Sequence, residues 1–521
     1  MNILFCTQSE SLPLFDALRT AMAERLPVAR TGYTVADSWA YTRWLADKPA
    51  FEGEGHVLLK EWEVTAIRAG KPDLARLACY ERELGGDAGL FGAIVADRRL
   101  FMGPDCTYSQ DYRRRFTDDE LLCILQRGLE ETERLFDVLK PDVIISFICV
   151  TMLDYLAYLF AKARGVRVLN LRPTRVGDRV AFASTLNDPS PELASSYARI
   201  LSSGESSYFD EASRYIRRVR EQHCRYEGVV RPSDKPALKA NTARLTRVGG
   251  LVGGIRNYLG YRRSVAASDN HVPNPLRATL FAALLNPWRA RQTRSFLKSH
   301  YVKAEELGQL RYVFFPLHTE PEVSLLVYGR PYVNQIEIIR MLAMSLPVDT
   351  VLVVKEHPWM VGKRTLGAYA KMLNIPRVRL ADPRLEARVL IQEADLVAVV
   401  TGSVALEAAM LGKPVITFGD CPYNLLPDAL VRRCDDPRRL QSIIRESIIG
   451  HSDNDAALVA YVAAVFDTST SANLYSVLLG KKNVHAERSA GYGEDIGKLA
   501  DEVLRQLGAT HSPPSLTAAA W

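Results

Sequence analysis

Three polar residues stand directly after three apolar runs. His357 follows Thr350–Val354 and precedes Pro358; Thr401-Gly402-Ser403 follows Leu396–Val400; Asp420 follows Pro414–Phe418 and Gly419. An imidazole donates to a phosphate oxygen, and Lys355 adds charge beside it. A helix starting behind Ser403 offers backbone N–H groups that favour an anion through hydrogen bonds and the macrodipole. Gly402 lets a ligand approach the backbone. Glu407, four residues after Ser403 on the same helical face, can hold ribose hydroxyls. Lys355, His357, Pro358, Thr401, Gly402, Ser403 and Glu407 therefore form a candidate set for a phosphate and the ribose attached to it. The alternatives stay open: Ser403 as a helix cap, Glu407 as a solvated acid, His357 as a structural histidine.

A second group can move protons or grip an acid. Glu320 and Glu322 lie on a loop after Arg311–Phe315, where paired carboxylates serve as base or orienting groups. Arg172, Arg175 and Asp178 follow Val166–Leu171; Arg offers a bidentate fork to an acidic ligand, or the three form an ion-pair network. Gln8 and Ser9 follow the first strand and face the same cleft in this arrangement. Glu320, Asp178 and His357 are the catalytic candidates; Gln8, Arg172 and Arg175 are the candidates for a second substrate. No DxD pair or His/Cys ligand cluster is present, so neither metal nor cofactor is expected.

These residues need strands and helices in alternation. Pro358 cannot extend a sheet ladder and ends its run; Gly412 stops a helix over Val404–Leu411. Strands apolar throughout, alternating with helices, imply a parallel sheet covered on both faces, with ligands outside its carboxyl edge. Earlier, Asn2–Cys6 reads as a strand and Leu14–Arg25 as a helix, without the GxGxxG of a dinucleotide site. Tyr33–Leu84 reads as mixed and mostly helical, and Ile94-Val95-Ala96 as a short strand. Asp118 is the expected N-cap of a helix to Leu139. Val143–Phe147 and Val166–Leu171 flank a helix over Leu153–Ala163. Glu192–Glu227 reads as helical, Arg231–Asp234 as a turn, Ser489–Asp495 as an exposed linker, Ile496–Leu507 as a last helix and the tail after Thr510 as disordered.

Length and charge set bounds. A chain of 521 residues predicts roughly two to four domains. No apolar run reaches bilayer length, no leader precedes the first strand, and the eight cysteines form no CxxC pair, so a reducing cytoplasm is expected. The net charge of +6 is uneven: Lys239–Lys303 holds twelve Lys/Arg against one acid, Asp269. That stretch is either a solvated basic helical insertion or a surface for an anionic partner, such as an acidic glycan, a lipid carrier or the inner leaflet of a membrane. Nucleic acid is not expected.

PLHTEPEVS, NQIEIIRMLAMSLP, VVKEHPWMVGKR and VTGSVALEAAMLGKPVITFGD closely resemble the capsule polysaccharide biosynthesis family, which includes Kdo-type transferases; ADRRLF and LRPTRVGDRV resemble its N-terminal half. The resemblance implies a GT-B glycosyltransferase, an α/β protein of two Rossmann-like doubly wound domains facing across a cleft, with the helical basic insertion between them. It implies an acceptor domain at 1–190, an insertion or linker at 191–305, a nucleotide-sugar domain at 306–470, and a C-terminal helix and tail at 471–521. His357-Pro358 and the Ser403/Glu407 pair would bind the donor nucleotide, expected to be CMP-linked and to carry Kdo or another acidic sugar. The acceptor it implies is a surface glycan or its lipid-linked precursor; the charge of 239–303 makes that stretch the expected place for any peripheral inner-membrane contact. Ile148–Met152 departs from the family, being apolar where related sequences often carry an acid and a histidine. Two alternatives remain: a sugar-nucleotide epimerase of the same build, and a non-catalytic glycan-assembly protein.

Overall fold

The computed structural model describes residues 1–8, 11–66, 70–85, 89–102, 116–222, 284–452, 454–481 and 491–508, with isolated positions 258–260, 265, 269 and 280. The described strands are β1 Asn2–Thr7, β2 Arg30–Val35, β3 Val57–Lys60, β4 Val143–Ser146, β5 Arg167–Pro173, β6 Arg179–Ala183, β7 Tyr301–Val302, β8 Arg311–Pro316, β9 Thr350–Lys355, β10 Val378–Ala381, β11 Leu396–Val399, β12 Val415–Thr417, β13 Val431–Arg433 and β14 Thr470–Ser471. They form two seven-stranded sheets. The first runs β14-β6-β5-β4-β1-β2-β3, the second β13-β12-β11-β8-β9-β10-β7. The second is parallel throughout. The first is parallel from β5 to β3 and ends in antiparallel β6 and β14.

Both orders reverse direction at a switch point, between β1 and β4 in the first sheet and between β8 and β11 in the second, where β7 is then added beyond β10 at the edge. That is the doubly wound Rossmann-like arrangement expected, with its crevice at each reversal. Buried runs explain it: Ile3–Cys6, Val143–Ile145, Tyr312–Phe315, Leu352–Val354 and Leu396–Val399 are each at most 1% exposed, as strands covered on both faces must be.

Several expectations are corrected. Tyr33–Leu84 is mixed and mostly helical as expected, but it also holds β3 and the end of β2, neither expected as a strand. The β2 run RTGYTV hides its apolar pattern behind Gly32, where a Cβ would meet Leu139 Cδ2 at 2.6 Å. Ile94–Ala96 is not a strand but part of a short helix, Phe91–Ala96. The cap of the long helix Asp118–Leu139 is Thr117, in a reciprocal capping box with Glu120. Asp495 is no linker residue: it is fully buried in the helix Tyr492–Leu507 and accepts from the Asn473 N–H at 2.9 Å.

Two stretches pack away from the half that precedes them. Helices Pro191–Ser203 and Phe209–Gln222 bury Tyr197, Ile200, Tyr215 and Val219 with Leu406, Tyr461 and Phe466, on the second sheet's side. Helix Tyr492–Leu507 instead returns to the first sheet, where Leu499, Ala500 and Val503 join Ile3, Phe15 and Leu171. Most of the basic stretch 239–303, the turn 231–234 and the tail after Thr510 lie outside the described residues. Within that stretch, Asp269 is buried and accepts from the Ser38 N–H at 2.6 Å, and Asn286–Leu297 is a helix. Among the described residues, no helix is long and apolar enough to cross a membrane.

Because Leu499 is fully buried, Leu499→Ala should destabilise the first half by about 2–5 kcal/mol. Urea unfolding measures it. An unchanged midpoint would mean that the C-terminal helix is not part of that core.

Candidate functional site

The carboxyl ends of three neighbouring parallel strands carry the chemistry. β11 leads into Thr401-Gly402-Ser403, β8 into His318, and β9 into His357. With a strand spacing of about 4.8 Å, the outer two ends stand about 10 Å apart with β8 between them. His318 bridges the gap: its Nε2 accepts from the Thr401 N–H at 3.3 Å, and its ring lies where a Cβ on Gly402 would meet Cε1 at 3.3 Å. Sequence reasoning quoted His318 in PLHTE without selecting it; the signal was its place directly after a strand, like that of His357.

His318 stays neutral. Burial, then the charges of Arg175 and His357, lower its pKa to about 3. An Nε2 that accepts puts the ring's proton on Nδ1. His357 is the reverse: its Nδ1 accepts from the Trp359 N–H at 3.2 Å, leaving Nε2–H as the donor of the neutral ring. The Ser403 hydroxyl makes no cap hydrogen bond to the short helix Val404–Met410, so the cap alternative fails. Glu407 lies half-buried in its first turn.

Behind this row sits a buried ion cluster. Arg364, 1% exposed, places Nη1 at 3.2 Å from Glu320 Oε1 and Nε at 2.6 Å from Glu356 Oε2. Tyr369 donates to the same Glu356 oxygen at 2.8 Å, and the other accepts from the His357 N–H at 2.8 Å. Gln335 donates to Glu320, while its own carbonyl accepts from the His318 N–H at 2.7 Å. Glu320 is therefore not the acceptor base expected: its carboxylate is 4% exposed and held by Arg364 and Gln335. It is a positioning residue for His318, as Glu356 is for His357.

Other expected residues are also placed differently. Lys355 is buried at the end of β9; at the next strand end burial raises the carboxyl pKa of Asp382, but Arg384 and then Lys355 bring it below its ordinary value. Thr401 is buried and donates to the Ser324 carbonyl at 2.9 Å, and Pro358 is buried at the start of a 3-10 turn. Arg172 pairs with Asp188 at 2.8 Å and bonds Asn170 at 3.1 Å, 8% exposed; it staples its own half. The Gln8 side-chain amide donates to the Ile148 carbonyl at 2.7 Å and Asp154 at 2.8 Å. Neither Arg172 nor Gln8 offers its donors to a second substrate as expected. Asp178 lies half-buried beside β14, its carbonyl accepting from the Ala472 N–H at 3.1 Å, and Ser9 lies outside the described residues. Asp420 pairs with Arg433 at 2.9 Å.

Arg175 does reach across. With φ at 65°, it extends from the first half and donates from Nη1 to the Thr401 carbonyl at 2.8 Å. Arg98, exposed on the first half, and Lys363 on the second complete a positive rim. Burial and then Arg98 lower the pKa of Lys363. Glu322 shares the gap: solvent reaches it, but protein from both halves walls it in, raising its pKa, while Arg175 and Arg98 pull it back. The divergent Ile148–Met152 loop has a packing reason. Cys149 is 1% exposed in a cluster that joins Ala96 and Leu186 of the first half to Val327 and Tyr328 of the second.

Among the described residues, Asp16, Glu54 and His56 come within metal-ligand reach of one another. Arg19 and Lys48 already pair with both carboxylates at 2.8–3.3 Å, so the donor set suits those cations.

Arg364→Ala should cost about 3–5 kcal/mol, because it leaves two buried carboxylates without their cation; adding Glu320→Gln and Glu356→Gln should recover part of it. An unshifted urea midpoint in the single variant would remove the cluster from the account. His318 gives a pH test. Its folded pKa is depressed from 6.5 to about 3, so the unfolded chain binds the extra proton between those values. Stability then falls as pH drops from 6.5, by up to ~1.4 kcal/mol per unit. Asp154, raised to about 6, acts in the opposite sense, so His318→Gln is compared with the parent: its melting temperature should decline less between pH 7 and 4.5.

Comparison with known proteins bears on this row. Residues 281–426 match the family model described as capsule polysaccharide biosynthesis protein. Protein FixF of Sinorhizobium fredii (strain NBRC 101917 / NGR234) is 31% identical over 137 residues, 26% of this chain; the match spans about a third (32%) of that relative's length. Among solved structures, the beta Kdo 2,4 transferase of Thermosulfurimonas dismutans KpsC aligns at 15% identity and TM-score 0.29, over 61% of this chain and 78% of that one. The S. aureus MnaA-UDP co-structure aligns at 12% identity and TM-score 0.28, over 99% of each chain. The family match spans His318, His357, Arg364, Ser403 and Glu407, so the segment that builds the row carries the capsule polysaccharide biosynthesis family's sequence, as the motifs implied.

Proposed function

We propose that the chain is a glycosyltransferase of capsule or surface polysaccharide assembly. It moves a sugar, of the acidic Kdo type, from a CMP-linked donor onto a glycan or its lipid-linked precursor. One observation carries the reading: Arg175 of the first half hydrogen-bonds the Thr401 carbonyl at 2.8 Å, beside His318, Ser403 and His357 of the second. An anion in that gap meets donors from both halves. The capsule-family match over 281–426 supports the sugar chemistry.

In this reading the donor phosphate lies against the Ser403 hydroxyl and the His357 Nε2–H, with Arg175, Arg98 and Lys363 supplying charge. These groups stabilise the phosphate as it leaves, the step at which negative charge develops on it. Glu407 holds the ribose. Glu322 takes the acceptor hydroxyl's proton: it is the carboxylate that faces the gap, and a raised pKa suits a base. Glu320 and Glu356 act one step back, through the two histidine loops. The proton bookkeeping closes on side chains. The acceptor oxygen bonds the sugar carbon, the sugar–phosphate bond breaks, and Glu322 holds the released proton. Transfer takes place on the cytoplasmic side.

His357→Ala should lower kcat about 100-fold with CMP-Kdo. Lys363→Ala should lower kcat/KM about tenfold, roughly 1.4 kcal/mol, with part of the loss in kcat because the ammonium also stabilises the leaving phosphate. Thermal shift against CMP-, UDP- and GDP-sugars tests the donor class. Unchanged kinetics in both variants, with normal donor binding, would overturn the phosphate assignment. Donor turnover without any acceptor would point to an epimerase.

A further inference from the structure

The second sheet continues past His357. Beyond β9 lie β10 and β7, and their carboxyl ends open into a cavity of about 720 Å³, within the range of ligand pockets. Its charged lining is Arg294, Lys298, Lys303 and Arg384 against Glu305 and Asp382. Arg384 and Asp382 pair with each other. Arg294, Lys298 and Lys303 are exposed, and none has an ion pair with a described carboxylate. Three cations therefore stand against one remaining acid, Glu305. Tyr301 adds an aromatic wall, and Val361 an apolar one.

We propose that this cavity binds an acidic glycan, a saccharide chain carrying carboxylates, and holds it alongside the transfer row. The three cations sit on two separate pieces of chain, the end of helix Asn286–Leu297 and the segment after β7, facing the loop after β10. They surround a concave space, which a flat membrane surface does not enter. Carboxylates along a chain meet point charges spaced around the wall, and the tyrosine and valine faces suit the less polar faces of sugar rings. Position joins the cavity to the row. β7 is two strands from β9, about 10 Å along the sheet edge, and Val361 lies four residues after His357. A chain bound here extends towards His357.

That the ligand is a glycan rests on the transferase reading; that the cavity attracts an anion does not. The test therefore reads binding and transfer separately. Hexagalacturonic acid, maltohexaose and inorganic phosphate are titrated calorimetrically into the full chain and into R294E/K298E/K303E, with K298E as a milder variant. Expected are binding of the acidic hexamer that weakens with salt, at least a tenfold loss in the triple variant, an intermediate loss in K298E and no binding of maltohexaose. Donor binding should be unchanged in both variants. Equal hexamer affinity in parent and K298E, or phosphate binding as tightly as the hexamer, would overturn the proposal. Charge-dependent hexamer binding with no transfer from any donor would keep the cavity and sink the transferase instead.

Discussion

The site depends on one buried cation. Arg364, with its side chain fully buried, holds a carboxylate from the loop after β8 and another from the end of β9. The loop after β8 has no regular structure to fix Glu320, and that after β9 has only the 3-10 turn Pro358–Met360 beyond Glu356. Glu320 passes its constraint through Gln335 to the His318 backbone, and Glu356 passes its own to the His357 backbone. A buried charge pair is weak evidence for net stability, since desolvation offsets most of the attraction. Its worth here is geometric: breaking one partner leaves a bare charge, so the two histidine loops keep one relative arrangement.

The other constraint is between the halves. Arg175 adopts a left-handed backbone at φ 65°, a conformation that costs of order 1–3 kcal/mol for a residue with a Cβ. It directs the guanidinium out of its own half to the Thr401 carbonyl. Arg330 makes the opposite crossing, donating to the Gly92 carbonyl at 2.8 Å and lying over the Tyr155 ring at 5.3 Å. Between them sits the small apolar cluster around Cys149 and Tyr328. The apolar Ile148–Met152 loop is thus explained by what it packs against.

Four strands of the second sheet, β8, β9, β11 and β12, were legible because each is an apolar run closed by Pro, Gly or a polar triplet; β10 and β13 carry arginines and β7 is two residues long, so these three were not. The row of strand ends followed from that alone, and so did His357 and Ser403. β2 was not legible, because its Thr and Gly residues are buried by helix packing rather than by an apolar pattern. Nor were the roles of the charged residues. Glu320, Arg172 and Gln8 have the right types at the right strand ends, yet their side chains turn inward. Sequence spacing places a residue at an edge; only the neighbours decide whether its polar atoms are used up. His318 shows the converse, a residue that gains significance through what stands on either side of it. Arg364 lies eight residues after Glu356 but 44 after Glu320, and nothing in its local sequence announces the pairing.

The positive rim carries its own energetic argument. Lys363 has a lowered pKa because it is desolvated and then because Arg98 faces it from the other half. Like charges brought together across a gap oppose its closing, so the rim is at odds with itself while no anion occupies it. A phosphate between the two halves reverses the sign of that interaction on both sides at once. Its affinity is then greatest where the rims are close, and by linkage the ligand favours the closed arrangement over the open one. In the transferase reading, the groups that bind the donor also bring the acceptor half to it, and no separate closing device is required.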